Sequence, residues 1–384
     1  MAISPSPAVD KLKIGLVFDD SLDKPDGVQQ YILSIGQWLT VRGHDVHYLV
    51  GETKRQDLAN VHSLSRNVTV KFNGNRMSIP LPTSATKLKK FLDDQQFDVL
   101  HVQLPYSPYL AHRIIIAASH DVAVIGTFHI YAENKLVAVA TKLLSYWLQR
   151  SLQRFDVVVS VSEPAKQFSK QFFGIETTIL PNVIDYQRFA IATPLQEYSD
   201  DVLNVLFLGR LVPRKGCQLL LEAINLIKND DLPKFRVIIC GKGHLLENLK
   251  AYVAQNQLDQ LVEFVGFVSE ADKPSYYASA NIAVFPSNGG ESFGIVLVEA
   301  MASGQAAVLA GDNSGYHSVM YEDQDLLFDP HDATVLAEKL TKYLRNESLR
   351  LATQAWGQNY AKTFDTALIG AKILDICVNA ERSR

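Results

Sequence analysis

Cysteine is scarce: Cys217, Cys240 and Cys377 stand far apart and are odd in number, so neither a disulfide framework nor a cysteine metal cluster is expected, and reduced thiols fit best. Basic residues are not in excess either. With 37 Lys and Arg against 41 Asp and Glu the net charge is -4, so no nucleic-acid partner is indicated, and any attraction to a membrane must come from a local patch. No apolar run reaches transmembrane length, and residues 1–10 have neither the basic nor the apolar region of a secretory signal, so a cytoplasmic location is expected. Short repeats and low-complexity segments are also missing. What remains is 47% hydrophobic and 20% charged residues in a chain of 384, the profile of a compact protein too long for one ordinary core. Two domains are expected.

Short β-rich runs alternate with amphipathic helical stretches. Strands are predicted at 13–18, 45–50, 68–72, 98–102, 122–128 and 156–161, with helices at 28–42, 85–95, 135–154 and 163–173 between them. The alternation begins again with strands at 202–208, 236–240, 262–264, 282–285, 306–309 and 326–328, separated by helices including 217–228, 245–255 and 293–303. This order implies parallel sheets covered on both faces. The fold class is α/β, two doubly wound Rossmann-like domains, residues 1–185 and 186–365, with a join in the polar stretch 181–203. Ligands of such sheets bind at the carboxyl ends of the strands, here in a cleft between the two domains.

Two loops fall at those ends. In NGGESFGIVLVEAMASG, Gly289 and Gly290 let the backbone approach a ligand, and a helix then presents unpaired N–H groups suited to phosphate or sugar oxygens. Glu291 stands at its mouth. Glu299 lies inside an otherwise apolar stretch and needs a partner; a vicinal diol such as a ribose is one, although Glu291 as a helix-start carboxylate and Glu299 as a solvated one stay open. In GRLVPRKG, Arg210 and Lys215 flank a loop after strand 202–208, where two cations could hold a diphosphate and stabilise a phosphate leaving group. An ordinary basic loop is the alternative. After the first strand DDSLDKPDG stands where GxGxxG would mark a dinucleotide fold, so only Gly27 could bring a backbone N–H to a phosphate. His129 ends the strand in TFH at the cleft rim, and Asp323-Gln324-Asp325 reads as a turn rather than a metal site.

Taken together, NGGESFGIVLVEAMASG, GRLVPRKG, PDGVQQYI and TFH resemble the retaining glycosyltransferases of family four, which have the GT-B fold, and among them the bacterial phosphatidylinositol mannosyltransferases. That resemblance implies transfer of a hexose with retained anomeric configuration, without an essential metal or other cofactor. By it, Glu291 and the amides of Phe293, Gly294 and Ile295, beside Gly290, would contact the donor sugar and phosphate. Arg210 and Lys215 would hold the diphosphate, Glu299 the ribose, Gly27 the phosphates from the other domain, and His129 the transferred sugar. The helix at 366–384 would pack back on the first domain.

Glu270 and Lys273 match positions near guanine in the mannosyltransferases, and a carboxylate suits the N–H donors of guanine, so GDP-mannose is favoured over a UDP sugar as donor. The acceptor is expected to be a lipid-linked or small polyol compound. Two departures stand out. Asp26 replaces the first of a usual glycine pair, and Asp19-Asp20 occupies a stretch that should serve the acceptor, where it would repel an acidic one. Lys87, Lys89 and Lys90 flank an apolar helix face and could lie on an anionic membrane, though a plain surface helix explains them as well. A UDP-sugar transferase with a soluble acceptor, a sugar-nucleotide epimerase and a non-catalytic sugar-binding relative are the competing functions.

Overall fold

The computed structural model describes residues 11–23, 27–72, 75–129 and 135–384. The chain divides into two compact units. The first runs to Val183 and resumes at Thr366–Arg384; the second is the uninterrupted stretch Ile184–Asp365.

In the first unit, strands β1 (Lys13–Phe18), β2 (Asp45–Val50), β3 (Val61–Ser63), β6 (Val99–Gln103), β7 (Ala123–Phe128), β8 (Val157–Ser160) and β9 (Thr178–Ile179) form one sheet in the order β3-β2-β1-β6-β7-β8-β9. Every pair in it is parallel. Runs such as Ile14–Phe18 and Val99–Val102 are buried along their whole length, as strands covered on both faces must be. The expected strand at 68–72 exists as β4 (Asn67–Phe72), but outside that sheet. It pairs antiparallel with β5 (Asn75–Pro80) as a separate hairpin, and the Asn-Gly between them in sequence is the turn signal that the βαβ reading passed over.

The helix Thr366–Arg382 belongs to this unit. Ile369, Ile373, Cys377 and Ala380, spaced three and four apart, bury one stripe among Tyr31, Ile32, Ile35 and Leu39 of the helix Gly27–Val41. A Cβ at Gly370 would stand 2.8 Å from the Trp38 ring, so the two helices touch there closer than any side chain allows.

The second unit repeats the plan with β10 (Leu203–Leu208), β11 (Phe235–Cys240), β12 (Val262–Gly266), β13 (Ile282–Phe285), β14 (Ala307–Gly311) and β15 (Leu327–Phe328), in the order β12-β11-β10-β13-β14-β15. Both sheets grow outward in two directions from a pair of central strands, β1 with β6 and β10 with β13. At such a switch point the loops leaving the two strands turn opposite ways and open a crevice. The residues after β1, β6, β10 and β13 are therefore where ligand chemistry belongs. Cys217, Cys240 and Cys377 are free and buried.

Candidate functional site

The loops after β10 and β13 are joined backbone to backbone. Gly216 (φ 71°) sits so close to the Pro286 carbonyl that a Cβ would collide with it. Asn288 N–H donates to the Arg214 carbonyl at 3.0 Å, and the Ser287 hydroxyl lies 2.9 Å from the same oxygen. The helix after β13 is Ile295–Ala302, not 293–303. Gly294 ends the loop at φ 107°, and a Cβ there would stand 2.5 Å from Tyr316. Glu291 is thus four residues ahead of the helix, in the loop.

There its carboxylate is held by cations. Arg214 Nη1 donates to Oε1 at 2.5 Å, Lys215 Nζ lies 2.7 Å from the same oxygen, and the Ser287 hydroxyl is 3.0 Å away. All three contacts fall on Oε1. Burial works against the charge of Glu291, but the Lys215 and Arg214 cations outweigh it and hold the carboxyl below its usual range. Burial also pushes Lys215 down, with Arg214 and Arg210 in the same sense and Glu291 opposing. Three cations around one carboxylate leave a surplus of positive charge, the condition for an anion site. Arg210, named from sequence, is exposed and contributes as a neighbouring charge. Arg214, which the sequence reading passed over, is the guanidinium on Glu291.

A second cluster surrounds Glu299, whose side chain is 5% exposed. Lys273 Nζ lies 3.1 and 3.3 Å from its two oxygens, and the Tyr277 hydroxyl donates to Oε2 at 3.2 Å. The partner that Glu299 needs is thus supplied by the protein itself, through Lys273 and Tyr277. Lys273 and Tyr277 are one turn apart on the helix Lys273–Ser279, a spacing readable in the sequence. Lys273 also lies 2.8 Å from Glu270 Oε2, and Arg188 donates to the Glu270 carbonyl. Burial opposes the charge of Lys273, yet the two carboxylates hold it above its usual range. Burial pushes Glu299 up, with Glu270 adding and Lys273 opposing. Phe293 is buried against Phe364, at 5.7 Å between rings, so only its backbone is left to serve a ligand.

In the first unit, Gly27 opens the helix Gly27–Val41 with open space where a Cβ would be. His129 follows β7 but is no rim residue; it is 5% exposed, its Nε2 2.7 Å from Gln103 Oε1, its ring edge-on to Tyr31. Burial, with the nearby His101, pushes its pKa down to about 3, so the imidazole is neutral. Asp19 does not face an acceptor either. It is buried, accepting the Ala111 N–H at 2.6 Å and the Ser107 hydroxyl, and burial pushes its carboxyl up to about 6. Asp26 and residues 1–10 lie outside the described residues. Lys87, Lys89 and Lys90 are exposed on the helix Ala85–Gln95 while Leu88 and Leu92 face inward, and Lys89 pairs with Asp93 at 3.2 Å. Asp323 precedes a single turn, Gln324–Leu326, and no three His, Cys, Asp or Glu side chains gather as a metal site among the described residues.

Two Rossmann-like units with their ligand loops at the sheet switch points define the GT-B class. Residues 25–188 match the model of Glycosyltransferase Family 4, and residues 196–362 that of Glycosyl transferases group 1. A phosphatidyl-myo-inositol mannosyltransferase of Mycobacterium tuberculosis is 31% identical over 374 residues, which span 95% of this chain and 96% of that protein. Among solved structures, a glycosyltransferase from Rickettsia africae superposes with a TM-score of 0.75 at 18% identity, over 97% of this chain and 99% of its own. HepE of Anabaena, solved with UDP and glucose, gives 0.69 at 18%, over 95% and 99%. The chain belongs to glycosyltransferase family 4, and its chemistry is the transfer of a sugar from a nucleotide sugar. The likeness to the mannosyltransferase of phosphatidylinositol runs along nearly the whole of both chains.

Proposed function

We propose that this protein transfers mannose from GDP-mannose to a lipid-linked or polyol acceptor of the phosphatidylinositol kind, with retention of configuration and no essential metal. The observation that carries the reading is the cluster of cations at Glu291. Arg214, Lys215 and Ser287 gather on one oxygen, and the surplus of cations beside this carboxylate is the place where the phosphate and a hydroxyl of a donor sugar would meet protein charge.

Arg210 and Lys215 hold the diphosphate and take up the charge that builds on it as the sugar leaves; an arriving anion also opposes the burial that pushes Lys215 down. The amides of Gly290, Phe293, Gly294 and Ile295 face sugar and phosphate at a helix start. Glu299 and Lys273 form the ribose side, and Glu270, whose side chain is 30% exposed, meets the N–H edge of guanine. Gly27 adds an amide to the phosphates. His129, neutral, orients the sugar as a hydrogen-bonding ring rather than as a charge. The mannosyltransferase likeness supports the donor and the acceptor class. Location on the cytoplasmic face of the membrane, through Lys87 and Lys90, follows from a lipid acceptor.

The test is direct. GDP-mannose should raise the unfolding temperature more than UDP-glucose, and the protein should then label phosphatidylinositol in excess chelator. Equal shifts remove the guanine assignment, and activity restored only by a divalent ion removes the metal-free phosphate site. Donor consumed without acceptor, yielding an epimer, replaces transfer with the epimerase reading.

A further inference from the structure

The second sheet carries at one edge an aromatic ring that the proposed sugar and phosphate contacts do not use. Phe267, the first residue after β12, is 59% exposed. Its surroundings fix it in place. The ammonium of Lys242, in the loop after β11, stands 5.2 Å from the centre of the ring. Gly266, just before it, takes a left-handed turn at φ 86°, and its carbonyl accepts the Gly241 N–H at 2.6 Å. The loop after β11 is fastened in turn to the loop after β10. Leu211 N–H donates to the Lys242 carbonyl at 3.0 Å, and Leu245 N–H to the Leu211 carbonyl at 3.2 Å. A Cβ at Gly241 would collide with the Gly209 carbonyl, and one at Gly243 with that of Leu211. The loops after β10, β11 and β12 thus form one surface at the carboxyl ends of adjacent strands.

A single exposed phenylalanine is ordinary on a protein surface. This one has the chemistry of a ligand site beside it. Glu270, three residues on, pairs with Lys273, and Lys273 also holds Glu299. Arg214 and Lys215, the cations on Glu291, follow β10, which lies two strands inward from β12. Neighbouring strands are about 4.8 Å apart, so strand spacing alone sets the ring about 10 Å from the loop of those cations. A nucleotide with its diphosphate on the cations and its ribose beside Glu299 would bring its base across that interval. The phosphate half of such a ligand has no use for a phenyl ring, but every base has a flat face that stacks on one. Ring and carboxylate then divide the base between them. Phe267 takes its face, which all bases share, and Glu270 its hydrogen-bonding edge, which differs from base to base.

We propose that Phe267 is the stacking platform for the nucleobase of the donor, with Lys242 bracing the ring. The inference rests on the nucleotide site proposed above, and the experiment separates the two. GDP, UDP and inorganic diphosphate are titrated by calorimetry into the full-length protein and into Phe267→Leu, which keeps the apolar bulk and removes the flat face. GDP affinity should fall roughly tenfold in the variant, while diphosphate binds as before. The unliganded variant should unfold at the parent's temperature, because the ring is exposed. Phe267→Trp should keep GDP affinity, and the emission that it adds to that of Trp38, Trp147 and Trp356 should be quenched as GDP binds. Three results overturn the proposal: undiminished GDP affinity in Phe267→Leu, equal losses for GDP and diphosphate, or added emission in Phe267→Trp that GDP leaves unchanged. A parent that prefers UDP, yet loses it on Phe267→Leu, removes the guanine assignment and leaves this inference standing. A parent that binds neither nucleotide removes both.

Discussion

Glu291 and Glu299 lie eight residues apart, and each is met by a lysine from another element, the half-buried Lys215 and the buried Lys273. The two pairs differ in their donors. At Glu291 two cations and a hydroxyl gather on one oxygen, whereas both oxygens of Glu299 are engaged by one lysine and a tyrosine. Replacing Glu291 by Ala should cut turnover with little loss of GDP affinity, because its carboxylate is proposed to serve the sugar as charge develops. Replacing Glu299 by Ala should weaken GDP and GDP-mannose alike, by about tenfold to a hundredfold, from a charged hydrogen bond of about 1.5–3 kcal/mol. Calorimetry on both variants decides; equal losses of GDP affinity would contradict the division. At the other switch point, Asp19 is an acid whose folded pKa of about 6 exceeds its ordinary 3.8. Its contribution to stability is whole below the lower value and is lost as pH rises through the upper, on the order of 3 kcal/mol. Asp19→Asn, which can still accept from Ala111 and can donate to Ser107, should gain on the parent by that amount between pH 4 and 7 in urea unfolding. Parallel profiles would mean that Asp19 is not ionised inside the fold.

Among the elements, the loop from Ser287 to Gly294 shows what a sequence discloses and what it hides. The two α/β units were readable because strands buried on both faces are continuous apolar runs, as in Val99–Val102 and Ile282–Phe285. The position of the glycine-rich break after β13 was readable for the same reason. Its partners were not. Nothing in the order of residues says that Arg214 rather than Arg210 meets Glu291, because that pairing depends on Gly216 letting two backbones touch. The start of the helix was misplaced because the apolar run begins at Phe293, whereas Gly294 adopts a left-handed turn under Tyr316. His129 was legible by its place after β7, but its burial under Tyr31 depends on a helix distant in sequence. If Gly294 carries this geometry, Gly294→Ala should cost about 1–3 kcal/mol and lower GDP-mannose affinity more than GDP affinity. A stable variant with unchanged affinities would show that the loop tolerates another turn.

For the molecule as a whole, the charged groups proposed for the nucleotide all lie between Ile184 and Asp365, while the helix Thr366–Arg382 closes the other unit. Gly370→Val should wedge that helix from Trp38 and destabilise the first unit by about 1–3 kcal/mol. Trp38 emission in urea should report the loss, and calorimetric GDP binding should persist. Failure of both together would mean that the units do not stand apart energetically. The same arrangement bears on biosynthesis. The second unit is an uninterrupted stretch and can fold as soon as Asp365 has left the ribosome. The first cannot: the apolar stripe of Tyr31, Ile35 and Leu39 waits bare until Ile369, Ile373 and Cys377 emerge, after the whole of the second unit. The unit begun first is thus completed after the one begun second, and through that interval its bare stripe is what a chaperone would cover.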